Sequence, residues 1–224
     1  SSIAHDFNNL LTLIKGYADM AQMNIENDQK TNNYLQEISK SIKGAAKLIH
    51  RLLDMSRENK LYRKVINVNR IIKNLLEMLS YFIAENIRVE TKLEEKLWKI
   101  KANPEKIEQI LMNLIINSRD AMPEGGNLTI NTKNILRSEI SDSKQLDCPY
   151  DHLICISVQD QGTGIEKSEL EKIFKPFYTT KEVGKGTGLG LSIVKNFISQ
   201  HKGWIEVDSE INKGSNFRVY LPSI

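Results

Sequence analysis

The sequence predicts an α+β protein in two parts, an N-terminal antiparallel helical hairpin over residues 1–60 and an α/β sandwich over residues 61–224. Three observations carry this reading. The first sixty residues hold no proline and repeat apolar side chains at helical spacing. The remainder mixes helix-like stretches with strand-like runs, mostly joined as hairpins. Six of the twelve glycines fall between Gly162 and Gly190, where backbone has to approach something closely.

The first helix is read from Ile3, Phe7, Leu10, Ile14, Tyr17 and Ala21, spaced alternately by four and three. After a polar break from Asn24 to Asn33 the same spacing returns at Leu35, Ile38, Ile42, Ala45, Ile49 and Leu52. Each helix is roughly 40 Å long at about 1.5 Å per residue. A short turn makes them antiparallel neighbours. Two helices cannot enclose both apolar stripes, so a second copy is expected to complete a four-helix bundle, giving a homodimer.

Asn59 to Val68 is read as a polar connection. Helix is expected over Val68–Ala84, and strands over Ile87–Leu93 and Leu97–Ala102. Pro104 suits the first turn of a helix that carries Ile107, Ile110, Leu111, Leu114 and Ile115 and stops before Pro123. Strands follow at Leu128–Leu136 and Leu153–Gln159, around a polar, looped segment from Ser138 to Asp151. A last helix is expected from Leu191 to His201, then strands at Trp204–Ser209 and Asn216–Leu221. Helices mixed with hairpin strands predict a sheet with helices on one face.

Composition excludes several classes. The 31 basic and 28 acidic residues leave a net charge of +3, which makes no case for nucleic acid as a partner. Apolar runs stop at four or five residues, far below the roughly 20 that span a bilayer. No signal peptide is visible. Any membrane sensor is therefore expected outside these residues, and this part of the protein is expected in the cytoplasm. Cys148 and Cys155 match no four-ligand metal pattern and read as reduced thiols.

Neither G-x-x-x-x-G-K-[ST] nor G-x-G-x-x-G occurs, which sets aside P-loop and Rossmann sites. Yet Gly186-Thr187-Gly188-Leu189-Gly190 runs into the last helix, whose free N–H groups and positive dipole end favour a phosphate chain. Asp160-Gln161-Gly162-Thr163-Gly164 puts one carboxylate at a glycine turn after a strand. Such a carboxylate can accept the exocyclic amine of adenine, where guanine offers a carbonyl. Asn113 and Asn117 lie one helical turn apart on a shared face. Their amide oxygens suit Mg²⁺ held together with phosphates. Each piece is weak alone; their company is what counts.

At these residues the sequence resembles the sensor histidine kinases. Asn113-Leu-Ile-Ile-Asn117-Ser-Arg-Asp-Ala121 is similar to their N box, Asp160-Gln-Gly-Thr-Gly164 to the G1 box, and Phe174-Lys-Pro-Phe177-Tyr-Thr-Thr-Lys181 to the F box. Gly186-Thr-Gly-Leu-Gly190 is similar to the G2 box, and Gly214-Ser-Asn-Phe217 to the closing Gly-[Thr/Ser]-x-Phe. His5-Asp6-Phe7-Asn8-Asn9-Leu10-Leu11 resembles the H box of the His-Asp-Phe-Asn-Asn subgroup. The resemblance implies a dimerisation and phosphotransfer hairpin, followed by a Bergerat-type ATP-binding sandwich. It implies Asn113 and Asn117 at Mg²⁺ and the phosphates, and Asp160, Gly162 and Gly164 at adenine. Gly186, Thr187, Gly188, Leu189 and Gly190 would line the phosphates, with Asp120, Lys181 and Ser215 also assigned to the ATP site. Glu166 to Lys185 would form a lid anchored by Phe174 and Phe177. One departure is visible: many members carry a Lys or an Arg-Tyr pair where this chain has Asp120 and Ala121.

Of the four histidines, His5 lies about 160° from the centre of its helix's apolar stripe and so faces solvent. A neutral imidazole carries a free lone pair, and its ordinary pKa near 6.5 keeps it largely deprotonated in the cytosol. Asp6 is its expected proton acceptor. By the resemblance, Asn9 would orient a water that hydrolyses a receiver's aspartyl phosphate. A response-regulator receiver domain is thus the implied partner. The hydrolytic relatives of this ATP fold place a glutamate where this chain has Asn113. An ATPase machine of the gyrase or chaperone type and a non-enzymatic dimeric scaffold stand as competing readings.

Overall fold

The computed structural model describes residues 14–21, 31, 33–35, 38, 63–79, 83, 86–140, 149–181 and 187–224. The chain divides into two compact units, Ser1–Lys60 and Leu61–Ile224. In the first, residues 14–21 are helical, as are the described residues between 31 and 38. Ala21 is buried, as its place in the apolar stripe requires. The Tyr17 and Tyr34 rings, one from each expected helix, stack with centroids 6.3 Å apart. The rest of the hairpin, including His5, Asp6 and Asn9, lies outside the described residues.

The second unit is a mixed helix-and-sheet layer. Its elements run β1 (Lys64–Ile66), α1 (Val68–Leu79), β2 (Ile87–Leu93), β3 (Ile100–Ala102), α2 (Pro104–Ala121), β4 (Gly126–Leu136), β5 (His152–Gln159), α3 (Gly190–Gln200), β6 (Trp204–Glu210) and β7 (Gly214–Pro222). The main sheet has five strands in the order β2-β4-β5-β7-β6. All its pairs are antiparallel except β2 with β4, which are parallel because the chain crosses through β3 and α2 between them.

Register explains the two faces. Ile130 lies opposite Val158, and Val158 opposite Phe217; Thr132, Ile156 and Val219 form the next row. All six are buried. Helices α2 and α3 lie against this face, and α1 packs on α2. The opposite face carries Lys133, Cys155, Tyr220 and Trp204 in one row, and Asn131, Ser157, Arg218 and Glu206 in the next. Trp204 stacks on Tyr220 with ring centroids 4.7 Å apart, and Arg218 pairs with Glu206 and Asp208. The period of two thus gives the helix-covered face its apolar rows and the opposite face a mixture of charged, polar and aromatic side chains. Cys155 is a free, buried thiol that burial pushes up to about 11, which leaves it protonated and unreactive at neutral pH. Trp98 meets His152 edge-on at 4.8 Å.

Two expectations need correction. Residues 64–66 are not merely a polar connection: they form β1, which pairs antiparallel with β3, Ile66 opposite Ile100. A three-residue strand with only Ile66 buried shows no alternation to detect. Leu97–Lys99 is not strand, because its backbone donors are committed elsewhere. Leu97 N–H donates to the Glu94 carbonyl in a turn, and Trp98 N–H donates to the side chain of Asn134. Among the described residues, no helix is long and apolar enough to cross a membrane.

Candidate active site

Helix α2 is built to present its asparagines. Asn103 caps it by accepting the Lys106 N–H at 3.2 Å, Pro104 occupies its first turn, and Ile107, Ile110, Leu111, Leu114 and Ile115 bury one stripe. Asn113 and Asn117 sit beside that stripe, half-buried. Both amides face Gly190 at the start of α3. A Cβ on Gly190 would lie 3.5 Å from Asn113 Oδ1 and 3.8 Å from Asn117 Nδ2. Among the described residues the N-terminus of α3 has no side-chain cap, and a helix start of this kind presents N–H groups to an acceptor. Two amides and an uncapped helix start therefore meet at one place. Such a helix start suits a phosphate chain, and the amide oxygens suit a divalent cation shared with it.

Asp160 follows β5 and is only 2% exposed. Its Oδ1 accepts the N–H groups of Gly162 at 3.0 Å and Ser215 at 3.1 Å, and neither bond falls on Oδ2. Burial raises its pKa above the usual carboxylate range, opposed by those two N–H groups and by the neighbouring Ser118 hydroxyl. The Ser118 Oγ is itself buried and faces this carboxylate. A buried carboxylate whose backbone donors both fall on one oxygen has acceptor capacity left on the other. The exocyclic amine of adenine is a donor that suits it.

The glycine turn is welded to its surroundings. A Cβ on Gly162 would come within 2.5 Å of the Ala121 carbonyl oxygen, at the end of α2, where Thr163 N–H donates at 3.0 Å. Gly164 has φ +71 and leaves no room beside the Glu210 carbonyl. Ser215 bonds through its hydroxyl to Ser209 at 2.9 Å and through its N–H to Asp160, so it supports the carboxylate. The F-box segment reaches the G2 loop: Gly188, at φ +62, leaves no room for a Cβ, which would lie 2.3 Å from the Phe177 carbonyl carbon. The Lys195 ammonium lies 5.6 Å from the Phe174 ring centroid. Leu189 is buried and Thr187 exposed, whereas Gly186 and Lys185 lie outside the described residues.

Asp120 and Lys181 meet directly, Nζ to Oδ2 at 2.6 Å, and Arg119 bonds the other carboxylate oxygen at 2.6 Å. Burial alone would raise the Asp120 pKa; hydrogen bonds from Lys181 and Arg119 outweigh it and hold it below the usual range. Lys181 is thus engaged with a carboxylate rather than extended toward the phosphate space. Sequence reasoning missed Ser118, although a small polar residue on the buried stripe of α2 was the available signal.

These features define a class: an ATP-type site built from an asparagine-bearing helix, a glycine-bounded helix start and a buried carboxylate at a glycine turn. Comparison with known proteins agrees. Residues 102–224 match the family model of histidine kinase-, DNA gyrase B- and HSP90-like ATPases, and residues 1–61 match the histidine kinase A phospho-acceptor domain. The chain belongs to this ATPase family, as the catalytic core of a sensor histidine kinase. It is 40% identical to the sensor kinase CckA of Brucella abortus over 99% of this chain and 24% of that protein. It is 32% identical to the sensor histidine kinase ZraS of Salmonella typhi, covering 100% of this chain and 45% of that one. The chain therefore spans less than half the length of these relatives. Among solved structures, the catalytic domain of the histidine kinase ThkA matches with TM-score 0.60 and 28% identity, over 73% of this chain and 97% of that one. The fold of histidine kinase ThkA in complex with the response regulator protein TrrA also matches, with TM-score 0.76 and 24% identity, over 100% of this chain and 60% of that one.

Proposed function

We propose that this chain transfers the γ-phosphoryl group of ATP to His5 and from there to an aspartate of a response-regulator receiver domain. The observation that carries the reading is the meeting of the Asn113 and Asn117 amides with Gly190 at the start of α3, a helix N-terminus without a side-chain cap. Asp160 accepts the adenine amine, with Gly162 and Gly164 shaping that turn. Leu189, Gly190 and the uncapped N–H groups of α3 bind phosphate oxygens, and Gly186, Thr187 and Gly188 continue the lining. Asn113 and Asn117 hold Mg²⁺, which supplies charge neutralisation on the transferring phosphate. Lys181 belongs to the same site through Asp120.

At His5 the P–N bond forms as the bond from the γ-phosphorus to the bridging oxygen breaks, and ADP leaves. The imidazole proton passes to Asp6. The phosphohistidine then gives its phosphoryl group to a carboxylate oxygen of the receiver; the P–N bond breaks as the ring takes its proton back from Asp6, restoring neutral His5 and ionised Asp6. Asn9 orients water for hydrolysis of the receiver's aspartyl phosphate. An amide at position 113 cannot deprotonate water, so ATP persists until the imidazole is presented. Residues 1–60 serve as the dimerisation and phosphotransfer hairpin of a homodimer, and residues 61–224 as the ATP-binding domain. The 53% exposure of Leu35, a member of the apolar stripe, supports a second copy. A supply of ATP supports a cytoplasmic setting for the reaction.

The test is incubation of the full chain with γ-labelled ATP and Mg²⁺. Acid-labile, base-stable label on the wild type, absent from His5→Ala while ATP binding is retained, is the expected result. Label persisting on His5→Ala, or steady phosphate release without labelled protein, overturns the proposal.

A further inference from the structure

His201 is used by none of the steps above, yet it is the most committed imidazole in the described structure. It closes α3 and is 5% exposed. Its Nδ1 donates to the Phe197 carbonyl at 2.7 Å, and its Nε2 accepts the Asn103 N–H at 3.1 Å. Those roles specify the neutral tautomer with the proton on Nδ1. Asn103 is the capping residue of α2. One ring thus bonds the last turn of α3 and the capping residue of α2, which stands 98 residues before it in sequence.

The placement is what gives this bond a consequence. Helices α2 and α3 run antiparallel, because Asn103 meets His201 at one end and Asn113 and Asn117 meet Gly190 at the other. At about 1.5 Å per residue, the ring lies some 15 Å along the pair from the asparagine face. Both helices bury long stripes against the sheet, which restrains them sideways, whereas sliding and pivoting are restrained at their ends. One cation acts on the ring, and a second covers its Phe197 partner. The Arg63 guanidinium donates to the Gln200 carbonyl, and the Lys106 ammonium sits 4.1 Å over the Phe197 ring. Burial first, and then Arg63, lower the pKa of His201, so the ring keeps its acceptor lone pair at neutral pH.

We propose that His201 is a positioning residue for the nucleotide site: by pinning the far end of the α2–α3 pair, it holds Asn113 and Asn117 in register with the start of α3. The proposal rests on those asparagines binding the metal and the phosphates, as set out above.

Steady-state autophosphorylation by the full chain, as a function of Mg²⁺-ATP concentration, tests it. In His201→Leu, KM for Mg²⁺-ATP should rise at least fivefold with kcat changed less than twofold. His201→Gln, whose amide oxygen can reach the Asn103 N–H, should restore KM to within twofold of the wild type. A merely structural role would lower the active fraction, and hence apparent kcat, with KM unmoved; that result, or a raised KM that Gln fails to restore, overturns the proposal. Should His201→Leu not fold, His201→Asn takes its place. Its short amide keeps the bond to Phe197 but cannot reach Asn103, so an unmoved KM there is equally fatal. Wild-type protein that neither binds Mg²⁺-ATP nor labels His5 would instead sink the functional reading beneath it.

Discussion

Asp160→Asn separates recognition of the base from integrity of the fold. The amide oxygen can still accept the Gly162 and Ser215 N–H groups that now bond to Oδ1 at 3.0 and 3.1 Å. What changes is the second oxygen, which becomes an NH₂ donor facing the donor of adenine. The bond lost is charge-assisted and desolvated, worth about 1.5–3 kcal/mol. That corresponds to roughly 10- to 150-fold weaker ATP binding. Stability should not fall with it, because burial already disfavours the charge on this carboxyl. The assay is calorimetric titration of the full chain with Mg²⁺-ATP and Mg²⁺-GTP, paired with thermal unfolding. The variant should lose ATP affinity by that factor, lose most of its preference for ATP over GTP, and melt at or above the wild-type temperature. An ATP affinity within threefold of wild type, or an unchanged ATP-to-GTP ratio, would refute the assignment of Asp160 to the base.

Two further outcomes concern stability. Gly162→Ala drives a methyl to 2.5 Å from the Ala121 carbonyl oxygen and 2.8 Å from its Cβ. The end of α2 or the turn must shift, so urea unfolding should show a loss of about 1–3 kcal/mol together with weakened ATP binding. His201 provides a pH signature. Its pKa is lowered in the native state, so below the ordinary value of 6.5 the unfolded chain binds a proton that the native chain refuses. Stability is therefore full above that value and falls with decreasing pH, by at most about 1.4 kcal/mol per unit, until the native pKa is reached. The pH slope of wild-type unfolding free energy should exceed that of His201→Gln across this acidic window. Identical slopes would contradict the buried neutral ring.

Much of this architecture was legible because local rules and tertiary demands agree. Pro104 and the stripe from Ile107 to Ile115 announce α2 before any contact is known, and the helix spans Pro104–Ala121. The alternation in Leu128, Ile130 and Thr132 foretells the buried face of β4. The asparagines and glycines were readable as a set because phosphate chemistry restricts which residue types can stand there. What was not legible depends on partners distant in sequence. Strand β1 exists only through its pairing with β3. His201 was assigned no role, since its acceptor bond reaches Asn103 across most of the second unit. The Lys181 Nζ meets Asp120 across 61 residues of sequence. No periodicity encodes such meetings.

The placement of the two tryptophans gives the molecule a built-in optical reporter. Trp98 and Trp204 both lie in the unit Leu61–Ile224, each against another ring, His152 and Tyr220 respectively. Residues 1–60 contain none. Emission excited at the indole band consequently follows melting of the nucleotide-binding unit alone, while far-ultraviolet dichroism sums both units. A gap between the two melting curves would count the cooperative steps directly, without any label attached.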